Sequence, residues 1–532
     1  SGDCLAIRLT ADDCDLHGNG LSAGILSMTS LFGLVHNTLQ RQSGLFNDGM
    51  SFLPIFHSVK PQFGHREHLD RTLHKHTNEG WQHSPLYRTK VFPFSTATPQ
   101  MHGTANKPLP LETVMRGRVE LTILVQGQDT LSLNEDELAA TLTLEEGKIL
   151  KEARGEVRRA AVETRFMAGE ASRLTGQHFG SEKQGVEVFR RREALGPIAV
   201  ITPWNFPIVT PVRKISPALA YGNTVVLKPA TLTPWSAVKL VELYDRAGVP
   251  SGVINLVTGK GAATGDVICG HPAIRGITFT GSTDIGRHIY RISSQNFARV
   301  QLEMGGKNPA LVFDAEDLEE AANQIVAAAF ASSGQRCTAV SRVIVSSAEH
   351  DDLTALLTEK IRKLKVGDPL DPSTDVGPLS SQAQMDTVQR YVDIAKEEGD
   401  VILTGGSIAD GPTKGYYYKP TLVDGVKRES PLALEEIFGP VLSIITVDTF
   451  DEGIDVCNDP VYGLAGCVFT REIHKAKQFI SKMKSGMVHV NHGTASEAHV
   501  PFGGVKDSGY GAYSIGPTAM DFYMSDKVVY LK

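Results

Sequence analysis

The sequence predicts an α/β fold in which buried parallel strands alternate with covering helices. From residue 134 onward, short apolar runs alternate with segments whose apolar residues recur at helical spacing. Turns that contain glycine follow several of the apolar runs, as expected where a strand of a parallel sheet passes into a helix. The length of 532 residues allows two or three domains.

Individual elements can be assigned along this part of the chain. A helix is predicted over Trp235–Ala247, and Leu353, Leu357 and Ile361 mark another at helical spacing. The apolar runs predicted as buried strands are Pro197–Thr202, Thr224–Lys228, Val253–Val257, Ile277–Thr280 and Ala310–Phe313.

Residues 1–135 differ from the rest of the chain. Their periodicity is weak, and they contain nine of the 17 histidines. His65, His68, His74 and His76 leave a metal-binding module open as an alternative, but their spacing matches no compact ligand pattern. We therefore expect no metal, and we interpret residues 1–135 as an atypical N-terminal region that is either divergent or disordered.

Charge and composition exclude several kinds of partner. The net charge of -7 argues against nucleic acid, which needs a basic face. The apolar stretch Leu21–Val35 follows acidic residues and is too short to span a membrane, so neither a signal peptide nor a membrane partner is expected. The six cysteines form no CxxC pair, which favours a reducing, cytoplasmic location over a disulfide scaffold or a zinc site.

Cys337 is the first candidate catalytic residue. It lies in Phe330–Thr338 (FASSGQRCT), a turn that contains glycine and follows the helical pattern Leu318–Ala329. Most free cysteines are small buried core residues, so this position alone does not establish a nucleophile.

Glu303 and Asn205 are the next candidates. Glu303 ends an apolar run in Gln301–Pro309 (QLEMGGKNP), beside two glycines that let a ligand approach closely. A carboxylate there can activate water or can simply pair with a cation at a strand end. Asn205, in Ile201–Pro207 (ITPWNFP), offers the amide donor that an oxyanion hole requires, and a rigid turn with a packed tryptophan is the alternative.

Two strand–turn–helix segments suit a dinucleotide. In Val257–Gly265 (VTGKGAATG) the glycines Gly259, Gly261 and Gly265 are spaced GxGxxxG, one residue longer than the common fingerprint. Such glycines let a pyrophosphate approach the amides at the start of a helix. Ile277–Ser282 (ITFTGS) presents a second helix start.

Eight separated motifs in one order resemble the aldehyde dehydrogenase superfamily over about residues 136–532. They are Glu145–Lys148 (EEGK), Pro203–Pro207 (PWNFP), Lys228–Ala230 (KPA), Phe279–Ser282 (FTGS), Leu302–Pro309 (LEMGGKNP), Gly334–Cys337 (GQRC), Glu436–Val441 (EIFGPV) and Pro501–Gly511 (PFGGVKDSGYG). The resemblance implies an aldehyde-dehydrogenase-like α/β fold with two Rossmann-like parallel-sheet lobes and a small bridging sheet that also serves oligomerisation. It also implies NAD(P)-dependent oxidation of an aldehyde to an acid.

The resemblance implies a covalent mechanism. Cys337 matches the family nucleophile, which forms a thiohemiacetal and then a thioester. Asn205 and the backbone N–H of Cys337 match the oxyanion hole. Glu303, which lies 34 residues before the cysteine (337 − 303), matches the base that activates the hydrolytic water. Relatives that acylate coenzyme A generally lack a base at that position, so a free acid is the expected product.

The resemblance also implies a cofactor site for NAD or NADP. Thr231 stands where many NAD-preferring relatives carry a glutamate that would repel a 2′-phosphate, so use of both cofactors is expected. The predicted cofactor-binding residues are Lys228 and Thr231 for the adenosine ribose, Gly261, Gly265, Gly281 and Ser282 near the pyrophosphate, Glu436 for the nicotinamide ribose, and Phe438 and Trp204 packed nearby.

Arg213 is the predicted substrate-binding residue. It lies eight residues after Asn205 (213 − 205), where relatives that oxidise succinate semialdehyde carry an arginine suited to a carboxylate. A surface arginine is the alternative. Ala331 and Glu497 depart from the succinate semialdehyde pattern, and the segments 332–345 and 490–518 look more like 2-oxoglutarate semialdehyde dehydrogenases. We expect an anionic semialdehyde, 2-oxoglutarate semialdehyde first, with succinate semialdehyde or a broad aldehyde range as alternatives.

The family architecture implies a division of the chain into an NAD(P)-binding domain over 136–304, with a bridging strand over 186–193, a catalytic domain over 305–505 and a C-terminal tail over 506–532. The tail strand Asp526–Leu531 would be an exposed edge in a monomer, so a homodimer or homotetramer is expected. A catalytically silent structural or binding protein on the same fold remains an alternative.

Overall fold

The computed structural model describes residues 129–532 and two short strands, Ile55–His57 and Thr89–Val91, which pair antiparallel. The histidines considered as a metal site and the apolar stretch Leu21–Val35 lie outside the described residues. Within the described part of the chain, no helix is both long and apolar enough to cross a bilayer.

A six-stranded sheet forms the centre of the first lobe. Its strands, in spatial order, are Gly509–Tyr510, Arg299–Glu303, Gly276–Thr280, Pro197–Ile201, Thr224–Lys228 and Ile254–Leu256. All neighbours are parallel except Gly509–Tyr510, a short strand from the C-terminal tail that pairs antiparallel with Arg299–Glu303. The prediction that these apolar runs form parallel strands is confirmed.

A seven-stranded sheet forms the centre of the second lobe. Its strands, in spatial order, are Val401–Thr404, Thr421–Asp424, Val441–Val447, Val340–Ser346, Asn308–Val312, Ala465–Phe469 and Met487–Val490. Only Val401–Thr404 runs antiparallel to its neighbour. The two parallel-sheet lobes that the sequence predicts are therefore both present.

Helices pack against both sheets. They are Glu135–Glu146, Leu150–Glu170, Val209–Ala220, Pro234–Arg246, Asp266–Gly270, Thr283–Ser294, Leu318–Phe330, His350–Arg362, Gln382–Glu398, Pro431–Leu434, Phe450–Asn458, Ile473–Lys482 and Ala519–Tyr523, with a π-helical turn at Gly261–Gly265 and a 3₁₀ turn at Ala331–Gly334. Side-chain caps begin several of them; Asp317, for example, accepts from the backbone N–H of Glu320 at 3.0 Å.

The helix Val209–Ala220 lies in the interior of the first lobe. All twelve of its residues are buried, including Arg213 and Lys214. A buried charge is costly unless a partner of opposite charge is close, so this helix requires acidic partners from neighbouring elements. That requirement brings charged groups together beside the sheet.

A three-stranded antiparallel sheet is separate from both lobes, with Glu187–Ala194 between Gln177–Phe179 and Met524–Leu531. The bridging strand that the family architecture implies pairs with the C-terminal strand, with a register from Met524 opposite Ala194 to Leu531 opposite Glu187. Two further short strands, Tyr462–Gly463 and Val505–Lys506, pair antiparallel.

Candidate active site

Cys337 follows a turn whose backbone is strained. After the helix Leu318–Phe330, Ser332 and Ser333 have φ of 52° and 56°, in the left-handed region that non-glycine residues rarely adopt. Gly334 continues the turn with φ of 72°, and a Cβ there would lie 2.2 Å from the carbonyl oxygen of Gly439. Glycine is therefore required at this position, which explains the GQRC motif in steric terms.

The segment after Glu303 packs directly on the backbone of Cys337. The carbonyl oxygen of Cys337 accepts from the side-chain amide of Asn308 at 2.7 Å. A Cβ on Gly306 would lie 2.5 Å from the same oxygen, so the second glycine of the GGKNP sequence makes this approach feasible. Thr494 fixes the next residue by donating to the carbonyl oxygen of Thr338 at 2.6 Å.

The Cys337 thiol is half-buried and is influenced by both acidic and basic groups. Burial raises its pKa to about 12, and the negative charges of Glu436 and Glu303 act in the same direction, against the opposing charges of Arg213 and Arg336. The thiol is therefore protonated at neutral pH in this arrangement, and a base has to receive its proton before it can act as a nucleophile.

Glu303 is buried at the carboxyl end of its strand and accepts hydrogen bonds from three elements. Thr280 donates at 2.6 Å, the Lys214 ammonium lies at 3.3 Å, and the Ser514 hydroxyl donates from the C-terminal segment. Burial opposes ionisation, but Lys214, Arg213 and the two hydroxyls together lower the pKa of Glu303 below its ordinary value. The carboxylate is therefore ionised.

Asn205 is buried and tied to the segment that carries the cysteine. Its side-chain amide donates to the carbonyl oxygen of Gln335 at 2.8 Å. Its own carbonyl oxygen accepts from the Lys148 ammonium at 2.7 Å. The loop after the strand Pro197–Ile201 is thus linked to the loop before Cys337, so the structure brings these two predicted site residues to one region.

Arg213 is buried rather than exposed, so the alternative of a surface arginine is wrong. Its Nη2 and Nε donate to the two oxygens of Glu163 at 2.7 and 3.2 Å, and its guanidinium lies 4.6 Å from the ring centre of Phe502. The charge of Glu163 more than offsets burial and raises the pKa of Arg213. Among the described residues Nη1 has no hydrogen-bond partner.

Several predicted cofactor residues meet at the carboxyl ends of two neighbouring strands. Lys228 ends its strand, and its ammonium donates to the carbonyl oxygen of Pro229 at 3.1 Å. A Cβ on Gly265 would lie 3.7 Å from the Lys228 side chain, which places the glycine turn against this lysine. Thr231 donates to the carbonyl oxygen of Gly259 at 3.2 Å, and Gly261 is exposed in the same turn.

Gly281 and Ser282 lie at the start of the helix Thr283–Ser294. The backbone N–H of Gly281 donates to the carbonyl oxygen of Glu303 at 3.0 Å, so this helix start is directly beside the candidate base. The Ser282 side chain makes no capping hydrogen bond. The first amides of the helix are therefore available to an anion.

Glu436 and Phe438 belong to the second lobe, whereas Trp204 lies in the loop after the strand Pro197–Ile201 of the first lobe. One oxygen of Glu436 accepts from the backbone N–H of Gly306 at 2.8 Å, and a Cβ on Gly305 would lie 2.2 Å from the other oxygen. Burial raises the pKa of Glu436 to about 7. Phe438 has a left-handed backbone, φ 58°, and packs edge-on against Trp204 with ring centres 5.4 Å apart.

The site lies at the carboxyl ends of the six-stranded parallel sheet. The strand Pro197–Ile201 pairs with Thr224–Lys228 on one side and with Gly276–Thr280 on the other. Later strands of the chain therefore add to the sheet on opposite sides of this strand. Ligands of open α/β sheets bind at such switch points. Fold and candidate site together are typical of two-lobed α/β enzymes that bind a ligand at this edge of the sheet.

The sequence profile of the aldehyde dehydrogenase family matches residues 113–529, and the chain belongs to this family of NAD(P)-dependent aldehyde oxidoreductases. It is 40% identical over 412 residues to the alpha-ketoglutaric semialdehyde dehydrogenase of Bacillus subtilis, which covers 77% of this chain and 84% of that protein. It is 39% identical over 392 residues to succinate-semialdehyde dehydrogenase [NADP(+)] 1 of Schizosaccharomyces pombe, and the match covers 73% of this chain and 78% of that protein. The family predicted from the motifs is confirmed.

A solved structure shows the same fold. The crystal structure of betaine aldehyde dehydrogenase from Staphylococcus aureus in complex with NAD+ is similar with a TM-score of 0.76 and 33% identity, covering 78% of this chain and 82% of that chain. The predicted fold class is therefore confirmed.

Sequence reasoning missed the charged and hydroxyl partners of the site, namely Lys214, Ser514 and Glu163. One signal was present: Arg213 and Lys214 interrupt a helix whose other residues are apolar, small or proline. Two adjacent cations in such a helix indicate buried acidic partners. Ser514 carries no comparable signal, since only the folded chain brings residues 303 and 514 together.

The raised pKa of Cys337 predicts a distinctive reactivity of the cofactor-free protein. Only the thiolate reacts with iodoacetamide, so its alkylation should accelerate by about tenfold per pH unit between about pH 8 and pH 10. Mass spectrometry of the peptide that contains Cys337 measures this rate apart from the other cysteines. A rate that reaches its plateau below about pH 8 would contradict the protonated resting thiol.

Proposed function

We propose that this protein oxidises an anionic ω-semialdehyde, with 2-oxoglutarate semialdehyde as the first choice, to the free carboxylic acid with NAD or NADP. The reaction is inferred from the proximity of three groups. The ionised Glu303 lies close enough to raise the pKa of Cys337, and the Asn205 amide donates a hydrogen bond to the segment that ends in that cysteine. A nucleophile, a base and an oxyanion donor therefore occupy one region of an aldehyde dehydrogenase fold.

In the first step, Cys337 loses its proton and its sulfur bonds to the aldehyde carbon. The proton passes to solvent, so Glu303 remains ionised for the hydrolysis that follows. Negative charge develops on the aldehyde oxygen, and the Asn205 amide and the backbone N–H of Cys337 donate hydrogen bonds to it. The product is a thiohemiacetal on Cys337.

In the second step, the thiohemiacetal becomes a thioester and is hydrolysed. When bound, the dinucleotide accepts the hydride that leaves the thiohemiacetal carbon. Glu303 then takes a proton from water, whose oxygen attacks the thioester carbon, and the acid leaves as the Cys337 sulfur is released. For this role the carboxylate exchanges a hydrogen bond from Thr280 or Ser514 for one from the water.

The residues of the cleft fit a dinucleotide. The free amides after Ser282 suit the pyrophosphate, and Glu436 keeps one oxygen for a ribose hydroxyl because Gly306 occupies only the other. Lys228 and Thr231 meet the adenosine ribose in this proposal. Thr231 is uncharged and exposed, so the 2′-phosphate of NADP meets no carboxylate there, and the proposal includes both cofactors.

Arg213 is the proposed contact for the distant carboxylate of the substrate. Glu163 and Phe502 fix the guanidinium plane, and no described residue accepts a hydrogen bond from Nη1, so the donor is held in place before substrate arrives. The names of the relatives from Bacillus subtilis and Schizosaccharomyces pombe, both semialdehyde dehydrogenases, support an anionic substrate.

We also propose the division of labour that the family architecture implies. Residues 136–304 bind the cofactor, residues 305–505 carry the nucleophile, and the tail 506–532 supplies the oligomerisation strand. That strand exposes Val528, Tyr530 and Leu531, with Tyr530 69% exposed, which supports pairing with a second copy in a homodimer or homotetramer.

Substrate ranking tests the role of Arg213. We expect 2-oxoglutarate semialdehyde to give a higher kcat/KM than succinate semialdehyde, and both to exceed butanal, measured by reduced-cofactor absorbance. Arg213→Met should lower kcat/KM for the two anionic substrates roughly ten- to hundredfold more than kcat/KM for butanal, because only the anionic substrates lose a charged hydrogen bond. The exposed Arg165 on the helix that carries Glu163 gives a matched control, Arg165→Met, expected to change neither.

A higher kcat/KM for butanal than for both anionic substrates would contradict the proposed substrate class. Absence of turnover with either cofactor, from folded protein, would favour the catalytically silent alternative.

Cofactor choice tests the role of Thr231. A carboxylate at this position would repel the 2′-phosphate, so Thr231→Glu should lower kcat/KM for NADP by roughly a hundredfold while that for NAD changes little. Thr231→Gln has the same length without the charge and should retain use of NADP. Equal losses in the two variants, or none in either, would remove Thr231 from the cofactor site.

A further inference from the structure

The EEGK motif has no part in the chemistry described so far, yet its lysine lies beside the site. Lys148 has a fully buried side chain, and its ammonium donates to Glu156 at 2.6 Å and to the carbonyl oxygen of Asn205 at 2.7 Å. The same ammonium lies 4.0 Å from the ring centre of Phe206. One lysine thus contacts two successive residues of the loop that carries the oxyanion donor.

Glu156 holds the other end of the same loop. One of its oxygens pairs with Lys148, and the second accepts from the backbone N–H groups of Ile208 and Val209 at 2.8 and 3.0 Å. These are the first amides of the buried helix Val209–Ala220, which lack partners within the helix. The ion pair therefore makes hydrogen bonds to both ends of the loop, at Asn205 and at Ile208 and Val209.

Two prolines limit the hydrogen bonds that can fix this loop. Pro203 and Pro207 have no N–H to donate, so fixing the loop depends on its carbonyls and on outside groups. The Asn205 side chain in turn contacts the carbonyl oxygen of Gln335 at 2.8 Å, two residues before the nucleophile. A change at Lys148 would therefore be transmitted to the position of the Asn205 amide.

The cysteine loop is fixed from the same helix. Glu152, four residues before Glu156 in the helix Leu150–Glu170, accepts from the backbone N–H of Ser332 at 2.9 Å, in the left-handed turn before Cys337. The first turns of this helix thus set the positions of both loops that meet at the site.

We propose that Lys148 and Glu156 are positioning residues whose buried ion pair places the Asn205 amide at the oxyanion of the reaction. The inference rests on the proposed role of Asn205. A buried ion pair adds little net stability compared with an apolar pair, but it fixes geometry. Misplacement of a catalytic donor by about 1 Å costs much of its effect.

Lys148→Met tests the proposal because it keeps the length of the side chain and removes its charge. We expect kcat to fall at least about tenfold both for aldehyde oxidation and for cofactor-independent hydrolysis of 4-nitrophenyl acetate, since both acyl reactions pass through an oxyanion. Alkylation of Cys337 by iodoacetamide forms no oxyanion and should be unchanged, as should the Kd for NAD. Lys151→Met, at an exposed lysine in the first turn of the helix Leu150–Glu170, is the matched control and should leave all four measurements unchanged.

A double-mutant cycle with Asn205→Ala separates the proposal from the proposed function. If Lys148 acts through Asn205, Lys148→Met should cost little further activity once the amide is absent. Full activity in Asn205→Ala would overturn the proposed oxyanion donor itself. A large loss in Asn205→Ala with additive effects in the double variant would overturn only the positioning role.

Lys148→Met leaves Glu156 buried without its cation, so this variant tests the proposal only when it is folded, and a second variant is needed. The pair Lys148→Met and Glu156→Gln removes both charges while an amide oxygen remains for Ile208 and Val209. The variant with both Lys148→Met and Glu156→Gln should fold, with a thermal transition close to that of the parent protein. It should show the same loss of kcat for aldehyde oxidation and for ester hydrolysis, with unchanged alkylation of Cys337. Retention of both kcat values in this folded variant would overturn the proposal.

Discussion

The ionised Glu303 carboxylate, buried at the end of its strand, is the constraint on which the rest of the site depends. An isolated buried charge of this kind is too costly, so it requires a cation and hydrogen-bond donors. Lys214 comes from a buried helix, Thr280 from the adjacent strand and Ser514 from the C-terminal segment. Stabilising one carboxylate therefore fixes three elements around it, and the same carboxylate influences the nucleophile.

The carboxylate that serves hydrolysis in the proposed mechanism also opposes ionisation of the Cys337 thiol. Glu303 and Glu436 raise the pKa of Cys337 beyond the effect of burial. Because oxidants attack the thiolate, a protonated resting thiol is protected from oxidation, and the penalty is that a base has to act in each turnover. The positive charges of Arg213 and Arg336 act in the opposite direction and lower the pKa of Cys337. In the proposed mechanism, the site thus combines a protonated thiol as nucleophile with a base that is already ionised.

Sequence predicted the parts of the fold and site that depend on local pattern. The prediction for Thr224–Lys228 has the observed bounds, whereas the predicted strand Pro197–Thr202 is one residue longer than the observed Pro197–Ile201. The motifs indicated Cys337, Glu303 and Asn205, but spacing along the chain does not show which distant side chains meet. The partners Lys214, Ser514, Glu163 and Glu156 became visible only in the folded chain.

In the proposed mechanism, Glu303 is the base for hydrolysis of a thioester formed on Cys337. Trapping that thioester tests this role most directly. Glu303→Gln, mixed with NAD and 2-oxoglutarate semialdehyde, should release one equivalent of reduced cofactor per active subunit in a burst and then turn over slowly. Intact-mass and peptide spectrometry should find the acyl group on Cys337. Steady turnover at the parent rate, or a burst without any acyl adduct on Cys337, would contradict the claim.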